Sequence, residues 1–365
     1  MNNAIVYRLN SPLPDTETLA ELLEDAPGRR CHFDELSHTG FCPPISGAQY
    51  AVETEGLTLF AAEVTKVLLP GKVVKRETSK KLEEITAKYG RALSDGEKKQ
   101  VKEAVKTHLI ARSHQSSDQV DIRLDRKRSL LVLDVSSATK ADDVINKLRK
   151  VIGSLKVVPF VTQEPAVAAM TRWLGQGWPD PAGWRFSGSC RLTSSNGSHV
   201  TFDKCLLVHE LDTAEAPDEV EKVGPSTEVD ACLNQGRLCT EAKFELDDIG
   251  EFVLTQSLSL KSMKFSGDIP EVEIEDADEA RRLNYEATAL LEWGLIGQVI
   301  DDLQAYLGEA SIEEEDLQPP QEDESLGAVE VDLSAIIVDS GTETGDDEAK
   351  QEGETVAEEK PAPVE

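Results

Sequence analysis

Lysine and arginine repeated at helical spacing can neutralise phosphates, and this sequence concentrates them. Lys72, Lys75, Arg76, Lys80 and Lys81 form one group, Lys98, Lys99, Lys102 and Lys106 a second, and Arg126, Lys127 and Arg128 a third. Cations set against a nucleic-acid backbone release condensed counterions, which gives affinity that is steep in salt and carries no base discrimination. A basic run on a helix is usually a solvated face. Here its setting makes it stand out. From Lys66 to Lys150 there are 21 Lys and Arg against 12 Asp and Glu, in a chain of 365 residues whose formal net charge is −31. From Ser311 to Glu365 the balance is reversed, with 2 basic residues against 19 acidic. A uniformly acidic surface would repel nucleic acid, whereas a segregated one can still attract it locally.

Other chemistries find less support. Cys31, His32, His38 and Cys42 lie close in sequence, but their spacing fits no common zinc finger, so no metal site is assigned. Asp142 and Asp143 could hold Mg²⁺ for phosphodiester cleavage, yet Asp142 fits the first turn of a helix, where the dipole favours a carboxylate. With 69 acidic residues, chance clusters are abundant. No G-x-x-x-x-G-K-[ST] loop and no nucleophile motif occurs, so no catalytic residue and no cofactor is assigned. Trp173, Trp178 and Trp184 could stack on single-stranded bases, but filling a loop-rich core is the better reading. The six cysteines include no C-x-x-C pair and read as free thiols of a reducing cytosol. No apolar run reaches the roughly 20 residues needed to span a bilayer, and the first residues lack a secretory pattern. The expected location is cytoplasmic.

The elements that must carry the basic groups follow from periodicity. Val74, Leu82, Ile85 and Tyr89 recur at helical spacing up to Gly90; Ser94 and Glu97 form a capping box. The helix that follows puts Val101, Ala104, Val105 and His108 on one face and its lysines on the other. Residues 72–111 are thus expected to form a helical hairpin with a basic outer surface. Residues 119–160 read as β-β-α: Val120, Ile122 and Leu124 alternate, Asp125–Ser129 turns, Leu130–Val135 returns, and Thr139 caps a helix closed by Gly153. Earlier come a strand at Ile5–Leu9, a helix at Thr16–Glu24, a loop at Gly40–Pro44 and a strand at Leu57–Val64. Later come a helix at Val167–Leu174, a loop at Gly175–Trp184, and strands at Val200–Val208, Arg237–Leu246, Glu251–Thr255 and Leu258–Phe265. A helix at Thr227–Asn234 stops at Gly236. Asp276–Leu307 reads as one or two helices with Leu283, Leu290, Leu291, Val299, Leu303 and Leu307 inward.

This pattern is an α+β fold in three parts: residues 1–165, residues 166–308, and an acidic tail over 309–365. The tail is too charged to bury the apolar surface that ordering requires, and disorder is expected there. Its one apolar island is Val329–Val338. It could solubilise the chain, compete with DNA for the basic surface, or bind a protein partner.

The stretch Leu124–Phe160 resembles the corresponding block of the RdgC family, as do Val6–Leu9, Gly40–Pro44 and Leu258–Phe265, in the family's order and over roughly residues 1–308. The resemblance implies antiparallel sheets and a homodimer closed into a ring around double-stranded DNA. It further implies binding without sequence preference, location at the nucleoid, and antagonism toward a RecA-type recombinase. The three basic groups would then be the phosphate contacts. Two stretches depart from the family pattern. Arg112–Gln119 carries no aromatic residue, and Val220–Gly224 keeps only Lys222 of a Lys/Gln-rich patch; both bear on the subunit contacts. A recombination-associated exonuclease is the alternative activity.

Overall fold

The computed structural model describes residues 1–176, 183–208, 223–247, 249–266 and 276–310. Trp178, most of Val220–Gly224, the acidic tail from Ser311 and the Val329–Val338 island lie outside them or have no described side chains. The described residues belong to one compact unit, Met1–Asp316. They form a mixed α+β structure with two large antiparallel sheets and, among the described residues, seven helices.

The first sheet is built from β1 (Ile5–Leu9), β2 (Ser37–Cys42), β3 (Ala51–Thr54), β4 (Leu57–Val67), β5 (Gln115–Asp125), β6 (Leu130–Leu133) and β7 (Val157–Pro159). Its order is β2-β4-β5-β6-β1-β7, with β3 also on β4. The spine is an eleven-pair antiparallel ladder between β4 and β5, from Leu57↔Asp125 to Val67↔Gln115. One face holds α1 (Thr16–Glu24) and α4 (Ala138–Ile152), whose Leu19, Leu23, Val144, Ile145 and Leu148 pack with Phe41, Phe60, Ile122 and Leu124.

The second sheet runs β14-β13-β12-β8-β9, from β8 (Trp184–Thr193), β9 (His199–Phe202), β12 (Leu238–Leu246), β13 (Gly250–Thr255) and β14 (Leu260–Phe265). A short ladder joins β10 (Leu206–Val208) to β11 (Val223–Pro225). Helices α5 (Ala166–Gln176), α6 (Thr227–Asn234) and α7 (Ala277–Leu307) complete this half. Its core joins Trp173, Phe186, Phe244 and Phe252 to the Leu295, Ile296, Val299 and Ile300 stripe of α7. The Trp184 ring meets Phe244 and Phe252 edge-on at 5.1 Å, and its indole N–H donates to Asp302 Oδ2 at 2.7 Å. Trp173 and Trp184 are therefore packing residues.

Several expectations change. Gly40–Cys42 is strand rather than loop, because Gly40 lets another backbone approach: a Cβ there would lie 2.3 Å from the Pro27 carbonyl oxygen. The strand read as Val200–Val208 is two, β9 and β10. The interior strand β8 is not among the expected strands; its inward Phe186, Gly188, Cys190 and Leu192 include a glycine and alternate with Ser187, Ser189, Arg191 and Thr193, which together carry little strand signal. Ser137 rather than Thr139 precedes α4. Residues 277–307 form one helix of 31 residues, in which Leu291 is exposed and Glu292 takes the buried position.

Candidate nucleic-acid interface

The long β4–β5 ladder does not close with a turn. Between its outer ends the chain inserts α2 (Gly71–Tyr89) and α3 (Asp95–Ile110). Gly90 ends α2 in the left-handed region at φ 64°, where its N–H returns to the Thr86 carbonyl. Ser94 and Glu97 form the capping box at the start of α3, so each satisfies an amide the helix leaves open.

The hairpin stands off the body. α2 contains no buried residue, and α3 buries only Val101 and Ile110. Tyr89 and His108, expected inward, are exposed: two helices packed mainly on each other offer a seam too narrow to cover them. Such an element contributes little core, and its polar surface is set by other demands.

All nine lysines and arginines proposed on the hairpin lie on α2 or α3 with their side chains at least partly open to solvent. At 100° per residue, Lys72, Lys75, Arg76 and Lys80 share one side of α2, with Lys81 opposite, and the four lysines of α3 lie along one stripe. Arg76 pairs with Glu77 at 3.0 Å, Lys81 with Glu84 at 3.2 Å, Lys98 with Asp95 at 2.9 Å and Lys106 with Glu103 at 3.7 Å. These are local exposed pairs of small individual worth. Among the described residues, Lys72, Lys75, Lys80, Lys99 and Lys102 enter no ion pair.

Sequence spacing on one helix could not show which lysines meet across the hairpin. Lys75 of α2 and Lys102 and Lys106 of α3 line one groove of about 640 Å³, floored by Leu36, Leu69, Val74 and Thr78. Three lysines from two helices thereby border one concave surface with a single carboxylate, Glu103, which pairs with Lys106, and the surplus of positive charge suits an anion.

The third basic group divides. The Arg126 guanidinium donates to the carbonyls of Leu13 at 3.2 Å and Pro14 at 2.7 Å and to Thr58 Oγ1 at 3.2 Å, tying the turn to the loop before α1. Arg128 pairs with Asp301 of α7 at 2.8 Å. Lys127 is exposed, as Arg128 is, but enters no ion pair among the described residues.

One buried cation lies outside the three expected groups. Arg123, near the end of β5, is 2 % exposed; it pairs with Glu292 of α7 and donates to the Ala289 carbonyl at 3.2 Å. Burial lowers its pKa to about 10. In sequence it falls between Ile122 and Leu124, where alternation assigns it to solvent. Only the helix covering that face reverses the assignment. A buried Glu at the inward phase of α7 was the available signal.

No three His, Cys, Asp or Glu side chains converge to hold a metal among the described residues. Cys31 donates to the Thr65 carbonyl at 3.4 Å, and Asp142 hydrogen-bonds Tyr7, whose hydroxyl burial pushes up to about 12. No helix among the described residues is long and apolar enough to cross a membrane.

Residues 1–310 match the family model described as "Putative exonuclease, RdgC". The chain is 30% identical over 311 residues to recombination-associated protein RdgC of Tolumonas auensis, covering 84% of this chain and 97% of that protein. It is 31% identical over 311 residues to the protein of the same name from Aeromonas hydrophila, with the same coverage. The RdgC of Edwardsiella ictaluri is 27% identical over 315 residues, again across 84% and 97%.

Proposed function

The chain belongs to the RdgC family of recombination-associated proteins, and on that premise we propose that it binds double-stranded DNA without reading its sequence. The observation that carries this reading is the α2–α3 hairpin. It has no buried residue on α2, it projects from the end of the β4–β5 ladder, and it draws Lys75, Lys102 and Lys106 from two helices into one groove. Each phosphate neutralised releases counterions, so the logarithm of affinity should fall with the logarithm of salt by about 0.9 per contact. Two copies of the chain closing around the duplex would add retention without further contacts, and such a clamp would limit a RecA-type recombinase on the same DNA.

The test is duplex binding by the full chain across a salt series, with several unrelated sequences and with Mg²⁺ or Mn²⁺ present. Equal affinity for all sequences, a steep salt slope and intact DNA support the proposal. Absence of binding at low salt overturns it. Shortened DNA favours the second reading, a metal-dependent exonuclease, which the description of the matched family brings forward. Analytical ultracentrifugation with and without DNA tests the dimer separately.

A further inference from the structure

Away from the hairpin, the second sheet brings two cysteine thiols together. Cys190 lies in β8, opposite Ala242 of β12 and Phe202 of β9. Cys205 is fifteen residues further on, just before β10, and its sulfur is 3.9 Å from that of Cys190. The approach is built by the backbone. The Cys205 N–H donates to the Gly188 carbonyl at 2.9 Å, and the Cys205 carbonyl accepts from Ser226 at 2.8 Å. These bonds hold Cys205 beside β8, two residues from Cys190, at the root of the β10–β11 ladder. Both thiols are buried.

We propose that Cys190 and Cys205 form a site of reversible disulfide modification, oxidised by hydroperoxides. The two sulfurs need to close by under two ångströms to reach bonding distance, since an S–S bond is about 2.05 Å. Other cysteines are less well placed. Cys239 also lies in this sheet, but its thiol donates to the Glu241 carbonyl at 3.5 Å, and Cys232 belongs to α6. The pair is also asymmetric in its setting: either thiol can donate to the other, but Cys190 is enclosed between β12 and β9, whereas Cys205 lies past the end of β9, so Cys205 is the sulfur that meets the peroxide first. That asymmetry assigns the roles.

The Cys205 sulfur attacks one peroxide oxygen, the O–O bond breaks, and an alcohol (water, from hydrogen peroxide) leaves with the Cys205 proton. The product is a sulfenic acid. The Cys190 sulfur then attacks the Cys205 sulfur, and the hydroxyl leaves as water with the Cys190 proton. Two thiols lose two electrons and the peroxide gains them. The resulting bond would staple the root of the β10–β11 ladder to the interior strand β8.

The experiment treats the folded full-length protein with hydrogen peroxide, then denatures it, alkylates the remaining thiols and maps peptides by mass spectrometry. Two of the six thiols should be protected and recovered by reductant. They should appear as one linked peptide pair about 2 Da lighter than the two free peptides together. Cys190→Ser should leave a dimedone-reactive sulfenic acid at Cys205. Six alkylatable thiols after treatment, or a bond through Cys232 or Cys239, would overturn the proposal. The wild-type map decides the matter even where a variant fails to fold.

Discussion

The two ends of the β4–β5 ladder put cations to opposite uses. At the inner end, Arg123 lies under α7 in a buried pair with Glu292, and Leu57, Leu59 and Ala289 pack beside it. At the outer end, Ser116–Gln119 are exposed and the ladder gives way to a hairpin whose lysines face solvent. One strand therefore carries a charge fixed by the fold and leads to charges left free by it. What separates them is the packing: α7 covers the inner end, whereas α2, packed against α3, buries no residue. A buried charge is held by its desolvation cost, so removing its partner is expensive, whereas an exposed lysine can exchange water for phosphate at little cost to the fold.

The largest effect is expected at the buried end. Arg123→Ala leaves the buried Glu292 carboxylate with the Met1 ammonium as its remaining ion-pair partner and should destabilise the protein by about 3 kcal/mol, the low end for a broken buried pair. Denaturant melts would read this. DNA affinity, measured where the protein is still folded, should not change; a fall would break the distinction between the two ends.

At the free end, reversing the charge of Lys72, Lys75, Arg76, Lys80 and Lys81 together should lower duplex affinity on the order of 100-fold, which is about 2.7 kcal/mol, and flatten the salt slope. Stability should hardly move, because α2 buries no residue. Unchanged affinity and slope would remove these five from the interface.

The turn at Arg126–Arg128 divides the same two roles within three residues. Arg126→Ala strands the Leu13 and Pro14 carbonyls and should cost about 1–3 kcal/mol of stability. Lys127→Glu should instead weaken DNA binding severalfold and leave the melt unchanged. The reverse pattern would mean that exposure does not separate structural from binding cations here.

The smallest effect concerns the hairpin's own integrity. Arg91 and Ser94 hold the Glu97 carboxylate at about 2, below its ordinary 4.5. A depressed carboxylate stabilises fully above its unfolded pKa, and that contribution is lost as pH falls from about 4.5 through about 2. Hydrogen exchange in the first turn of α3 should accelerate across that window, and Glu97→Gln should flatten the response.

Much of this was legible in the chain. Helices 16–24 and 227–234 run between the residues that periodicity and capping assign, and the Ser94–Glu97 box forms as written, because caps and i, i+4 spacing are local. The free cysteines and the charge segregation were equally plain. Strand β8 was not, since its pattern is carried by Gly188, Cys190 and small polar residues whose burial depends on distant partners. The candidate site was legible as a set of residue types but not as a surface. Sequence placed the lysines on two helices. Only the packing of α2 against α3 brought Lys75, Lys102 and Lys106 to one groove and committed Arg126 and Arg128 to bonds within the fold.

The sequence by itself determined the secondary elements with local signals, the basic segment and the family. The tertiary structure alone decided which charges are buried. A charge's environment is set by what covers it, and the residues that cover Arg123 and pair with it lie about 169 positions away along the chain.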